Sequence, residues 1–173
     1  MKPSRIILPI VLFFLFSCAS TQKSEQKDAR LYNNRGIACG EKSQYDQAIS
    51  DFNKAIQINS LEAEGCNNLA WLFAMAKSPG FRNGKKAVEI GIKACELSGW
   101  RNAEYLDTLA AAYATVGDFE NAVKWQEKDL QFFEERKKNE AKQRLNFYRG
   151  GKPWPADYVR YARFLPACFL FEE

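Results

Sequence analysis

The sequence predicts an all-α fold of stacked helix pairs, and three observations carry that prediction. Apolar and small residues recur at spacings of three and four, the buried stripe of an amphipathic helix. Each such stripe is followed, across a short turn, by a second one. The two-stripe unit then occurs three times in succession, the mark of a repeat architecture. The chain has 173 residues, of which 46% are hydrophobic and 27% charged. That is enough apolar material for the core of one domain.

The elements follow in order. Tyr32, Gly36 and Cys39, then Ala48, Phe52 and Ala55, define the first pair. Cys66, Leu69, Ala70 and Phe73, then Ala87, Gly91 and Ala94, define the second. Leu106, Leu109, Ala110 and Tyr113, then Ala122, Gln126 and Asp129, define the third. The small residues let paired helices approach closely. The second pair is out of step by five residues, and "KSPGFRNGKKA" between its helices carries Pro79, Gly80 and Gly84, so it reads as a loop. From Phe119 to Tyr148 there is no Gly or Pro, which predicts a last helix longer than the others. Within it Glu134 and Lys138, and Glu140 and Arg144, stand at i,i+4 on what reads as a solvated face. Leu145, Phe147 and Tyr148 suit a helix that packs again near its end, as the cap of a solenoid does. After Gly150-Gly151 comes a tail whose apolar cluster, Phe164 to Phe171, is expected to fold back over the last repeat rather than stand in water.

These residues resemble the tetratricopeptide repeat, a helix–turn–helix unit of about 34 residues. "YNNRGIACGEKSQYDQAISDFNKAIQIN" carries the pattern best, with Gly36, Tyr45, Ala48, Phe52 and Ala55 where the family puts them. "YLDTLAAAYATVGDFENAVKW" follows closely, with Gly117-Asp118-Phe119 as its turn. The pair "NN" recurs in phase at Asn33-Asn34 and Asn67-Asn68. From Asn67 to about Trp154 the chain also resembles a block found in many bacterial tetratricopeptide-repeat proteins, carried by "NNLAWLFA", "GDFENAVKWQEK" and "RLNFYRGGKPW". The resemblance implies an all-α solenoid of about three repeats (about 29–62, 63–101 and 103–136 within a domain of 29–148), a long C-terminal capping helix and a short tail, 149–173. It implies a partner-binding role and no more.

The first 17 residues read as a leader. Lys2 and Arg5 are followed by an apolar run, Ile6 to Phe16, broken only by Pro9. A spanning helix needs about 20 apolar residues, so the run is too short to cross a bilayer and suits a secretory signal. "LFSC", ending at Cys18, resembles the lipobox of bacterial lipoproteins, although Phe16 is a less usual occupant of its position. The resemblance implies that the Cys18 thiol is lipidated and that the mature chain begins there. Several acyl chains anchor firmly where one holds only marginally. Ala19 and Ser20 follow in place of the aspartate that tends to retain lipoproteins at the inner membrane, which points to the outer membrane. Residues 18–28 are polar from Ser20 onward and read as a tether.

Composition narrows the function. Lys and Arg number 25 and Asp and Glu 21, and with Lys2 and Arg5 set aside the body is nearly neutral. Nucleic acid would want a basic stripe. The absence of histidine removes the commonest general base and the Ser-His and Cys-His nucleophile pairs. Cys39, Cys66, Cys95 and Cys168 have no Cys-x-x-Cys spacing. Cys39 and Cys66 fall about 10 Å apart along parallel helices, beyond bridging reach, and suit packing as small hydrophobes. "GFRNGKK" misses a phosphate-binding loop: its glycines are one residue too close, Lys86 stands where Ser or Thr should be, and no strand precedes it. No cofactor, metal or small-molecule substrate is expected.

In this architecture the first helix of each pair lines a concave face. The candidate groove residues are Asn33, Asn34, Ile37 and Glu41; Asn67, Asn68, Trp71 and Met75; and Asp107, Ala111 and Thr115. Asn amides both donate and accept, which suits a peptide backbone. Trp71 is the hot-spot candidate, with burial against a neighbouring helix as its other reading. Chaperone-binding members of the family grip a C-terminal carboxylate, and Asn68 falls on one of their Asn positions. The matching basic positions are Asn33, Ile37, Asp107 and Ala111, none of them basic, so no carboxylate clamp is expected. The expected function is a lipid-anchored adaptor binding another envelope protein. The alternatives are an envelope-assembly factor, a module that self-associates through its apolar C-terminus, or, from another class, an enzyme using Asp107 or Glu41.

Overall fold

A computed structural model of the chain describes residues 26–61 and 63–155. Among them every regular element is helical. α1 covers 26–41. It is followed by α2 (Tyr45–Ile58), α3 (Ala63–Met75), a 3₁₀ turn at Pro79–Phe81, α4 (Gly84–Leu97), α5 (Ala103–Thr115), α6 (Phe119–Asp129) and α7 (Glu135–Arg149). The leader, Cys18, the tether up to residue 25, and the Phe164–Phe171 cluster lie outside the described residues.

Local chemistry starts several helices. The side chains of Asn83, Asn102 and Asp118 each accept from backbone N–H groups of the first turn of α4, α5 and α6. Such caps satisfy donors the helix itself cannot. The loop after α3 is a turn, as its Pro and Gly predict, and Phe81 from it packs on Tyr45 with ring centroids 5.0 Å apart. Gly36 is required where α1 meets α2, because a Cβ there would stand 2.7 Å from the Phe52 ring.

α3 is the centre of the stack, packing on α2, α4 and α5, while α6 packs on both α5 and α7. The two largest apolar clusters of the described residues meet at α3. Tyr45, Ala48, Phe52, Leu69, Leu72 and Ala76 form one beneath α1–α3. Trp71, Met75, Ala87, Ala110, Ala111, Ala122, Tyr148 and Trp154 belong to the other. Phe73 of α3 packs against both.

The single long helix expected from Phe119 to Tyr148 is two helices. The chain leaves helix after Asp129 and re-enters at Glu135. Phe132 and Phe133 donate backbone N–H bonds to the Asp129 carbonyl, and Glu134 is extended, with ψ 151°. Phe133 turns inward to 7% exposure beside Ala103 and Ala141. Burial of that ring sets the break, which is why no Gly or Pro marks it.

Candidate functional site

The expected groove residues stand on α1, α3 and α5, in different environments. Asn34 and Glu41 are exposed, and Ile37 and Thr115 are half-buried. Asn33, Asn67, Asn68, Trp71, Met75, Asp107 and Ala111 are all buried. The asparagines are occupied by the fold. Asn68 Nδ2 donates to Asn33 Oδ1 at 2.9 Å, and Asn33 Nδ2 donates to Glu64 Oε1 at 3.1 Å. These bonds tie α1 to α3 across the repeat boundary. Thr115 donates to the carbonyls of Ala111 (2.8 Å) and Ala74 (3.3 Å), tying α5 to α3.

An apolar notch of about 20 Å³ opens between α1, α2 and α3. Ile37, Gly40, Asn68, Trp71 and Met75 stand in its wall. It thus gathers four of the expected groove residues at one place, with room for a water-sized or methyl-sized group. On α1 and α2, Arg35 grips Asp51 through Nε–Oδ2 (2.7 Å) and Nη2–Oδ1 (2.5 Å). That bidentate bond holds the Asp51 carboxyl below the usual range. The pair borders an open polar basin with Tyr32, Ser50, Asn53, Lys54 and Gln57.

The other end of the stack is closed by the chain itself. After the turn at Gly150-Gly151 the backbone returns, and Trp154 is 7% exposed in the cluster that holds Trp71, Met75, Ala111 and Tyr148. Its ring meets Phe147 edge-on at 5.0 Å, and the Arg144 guanidinium lies 6.0 Å from its centroid. Arg144 was expected on a solvated face. It pairs with Glu140 at 2.6 Å as the i,i+4 spacing predicts, but it is 3% exposed and also donates to Asp107 Oδ1 at 2.6 Å. A buried guanidinium needs a carboxylate partner, and α5 supplies it.

That ion pair belongs to a larger buried unit. Gln126 Nε2 donates to Asp107 Oδ1 at 2.8 Å and closely to Asp129 Oδ2. Asp107, Gln126 and Asp129 are fully buried. Burial pushes the Asp129 carboxyl up to about 8, against the opposing pull of Arg144. Tyr148, buried beside the same groups, is also raised. Sequence reasoning had Gln126 and Asp129 on the buried stripe of the third pair but assigned them no role. Two polar residues on an apolar stripe were the available signal.

The described cysteines are Cys39, Cys66 and Cys95, and none of them is in a disulfide with another described residue. Cys39 is half-buried, and the other two are buried. Burial drives the Cys95 thiol up to about 12, so it packs as a neutral hydrophobe. Among the described residues no group of His, Cys, Asp and Glu could hold a metal ion, and no helix is long and apolar enough to cross a membrane.

Stacked helix pairs with an interhelical polar ladder define a helical repeat scaffold. The family model of the tetratricopeptide repeat matches residues 29–60, which are α1, α2 and the turn between them. The match covers one helix pair, a repeat of a kind that serves protein–protein interaction, and the all-helical architecture of the described residues is consistent with a solenoid of such pairs. No curated protein matches the chain.

Proposed function

We propose that this chain is a lipid-anchored adaptor on the periplasmic side of a bacterial membrane, the outer membrane for preference. It binds an extended or helical segment of another envelope protein. One observation carries the reading: a leader ending in "LFSC" is joined through a polar tether to a tetratricopeptide-repeat scaffold. The lipid on Cys18 sets the place, and the scaffold supplies the binding surface. A narrower form of the same reading is a factor that helps assemble outer-membrane proteins or pili.

The anchor is tested by feeding cells a labelled fatty acid. The protein should take up label and fractionate with membranes, and Cys18→Ser should lose both. An unlabelled protein whose Cys18→Ser variant fractionates identically would sink the anchor. The binding role is tested with a photo-crosslinker at Glu41, which is exposed at the end of α1. A reproducible envelope protein should be captured there in living cells.

A further inference from the structure

We infer that a second surface of this chain, built from α6 and the turn between α4 and α5, docks an extended acidic segment of a partner protein. Carboxylates at alternate positions of that segment meet Lys124 and Lys128, beside the paired rings of Trp100 and Trp125. The inference rests on the interaction role of the helix pairs and not on the lipid anchor, and it uses none of the expected groove residues.

The surface starts from the backbone. At the end of α4 the Gly99 N–H donates to the Glu96 carbonyl at 3.0 Å, and the Trp100 N–H donates to the Cys95 carbonyl at 2.8 Å. Gly99 has φ 62°, which is usual where a helix closes, but Trp100 follows it with φ 59°. The left-handed region is strained for a bulky side chain, and such strain persists only where the surroundings fix it. Trp125 of α6 supplies the fixing contact: the two indoles stack with centroids 4.8 Å apart and planes at 21°. Both rings pack against Cys95, Leu106 and Leu109, and both stay half-buried.

Two cations complete the patch. Lys128 Nζ stands 5.5 Å from the Trp100 centroid and 5.2 Å from that of Trp125, and Lys124 Nζ stands 5.1 Å from Trp125. These are cation–π distances. Covering the apolar cluster needs the rings but not the two charges, and the charges are unbalanced. Lysines at i,i+4 repel each other. Neither lysine has an ion pair with a described residue. Glu127, between them on α6, is engaged by Arg149 at 2.7 Å.

An acidic segment relieves that repulsion, and its spacing fits. α6 rises about 6 Å from Lys124 to Lys128. Side chains on one face of an extended chain recur about every 6.6 Å. Carboxylates at i and i+2 of an extended segment therefore match the two ammonium groups. An anionic bilayer would want a broad basic face, whereas Glu120 and Glu127 share α6 with the two lysines. Charge complementarity thus favours a peptide over a lipid surface.

The test is a titration of the full chain, followed by the indole N–H signals of its four tryptophans in nuclear magnetic resonance. The probe is the peptide Ser-Glu-Ser-Glu-Ser-Glu-Ser. The Trp100 and Trp125 signals should shift, those of Trp71 and Trp154 should stay, and added salt should weaken the effect. The Lys124→Gln, Lys128→Gln double variant, checked for unchanged helical circular dichroism, should bind at least tenfold more weakly. The same peptide with Gln for Glu should leave all four signals in place. No shift at millimolar peptide, or equal shifts in the double variant, would overturn the inference. So would vesicles of phosphatidylglycerol that move the Trp100 and Trp125 signals when the peptide does not, which would make the patch a lipid contact. Capture of an envelope protein at Glu41 without any peptide effect at these tryptophans would sink this surface and leave the adaptor reading standing.

Discussion

At the scale of single residues, the deciding feature is the charge balance where α5, α6 and α7 meet. Two fully buried carboxylates, Asp107 and Asp129, face one buried guanidinium, Arg144, with Tyr148 from α7 and Gln126 from α6 completing the surround. Arg144 bonds Asp107, so Asp107 holds the negative charge and Asp129 keeps its proton up to about pH 8. An Asp in the unfolded chain titrates near 4. Between those two values the folded state binds more protons, so stability falls as pH rises, by at most about 1.4 kcal/mol per pH unit, and levels off above about 8. Subtracting the unfolding free energies of Asp129→Asn from those of the wild type, measured from pH 5 to 9, should leave this downward slope. A flat difference would mean that Asp129 is ionised in the folded protein. Arg144→Met makes the complementary prediction. It strands the Asp107 carboxylate without its guanidinium and should cost about 3 kcal/mol in chemical denaturation at neutral pH. A loss below about 1 kcal/mol would show the pair to be solvated.

At the scale of elements, the turn between α6 and α7 is the part that local sequence signals did not mark. The starts of α4 and α6 carry local signals: Asn83 after the Pro-Gly loop, and Asp118 after Gly117, whose φ of 81° suits glycine. Residues 130–134 carry no such signal. Helix propensity alone would run straight through them, and the competing term is tertiary: Phe133 buries its ring beside Ala103 of α5 and Ala141 of α7. Pattern reading along one helix cannot supply a contact with a residue thirty positions away. Phe133→Ala removes that term and should destabilise the protein by about 3 kcal/mol. It should also raise amide exchange first across 130–149, since α7 loses the contact that sets its angle. If exchange in α7 stayed at the wild-type level, some other contact would have to hold the turn.

At the scale of the whole molecule, the stack is a line of neighbours joined through α3. The periodic stripes that predicted the core are buried almost throughout, so the fold was legible from spacing alone: Ala48, Phe52 and Ala55, Leu69 and Ala70, Leu106, Leu109 and Ala110 all face inward. The candidate site was legible only as a set of positions. Asn33 and Asn68 are equivalent places in successive repeats, and only the distance between stacked helices shows that they bond each other. Trp154 lies far along the sequence from Trp71, and its return to the cluster that holds Trp71 depends on where α7 ends relative to α3. In a solenoid each repeat touches only its neighbours, so damage should stay near its origin. Gly36→Ala places a methyl 2.7 Å from the Phe52 ring, an overpacking worth about 1–3 kcal/mol at the α1–α2 contact. Trp71→Ala instead empties a side chain from α3, which packs on α2, α4 and α5, and should cost about 3–5 kcal/mol. Hydrogen exchange separates the two. Gly36→Ala should speed exchange across 26–58 and leave 103–149 protected, whereas Trp71→Ala should speed both. A uniform rise in Gly36→Ala would mean that α3 couples the two clusters so tightly that the repeats open as one unit, and the shared contact at Phe73 is where that coupling would run.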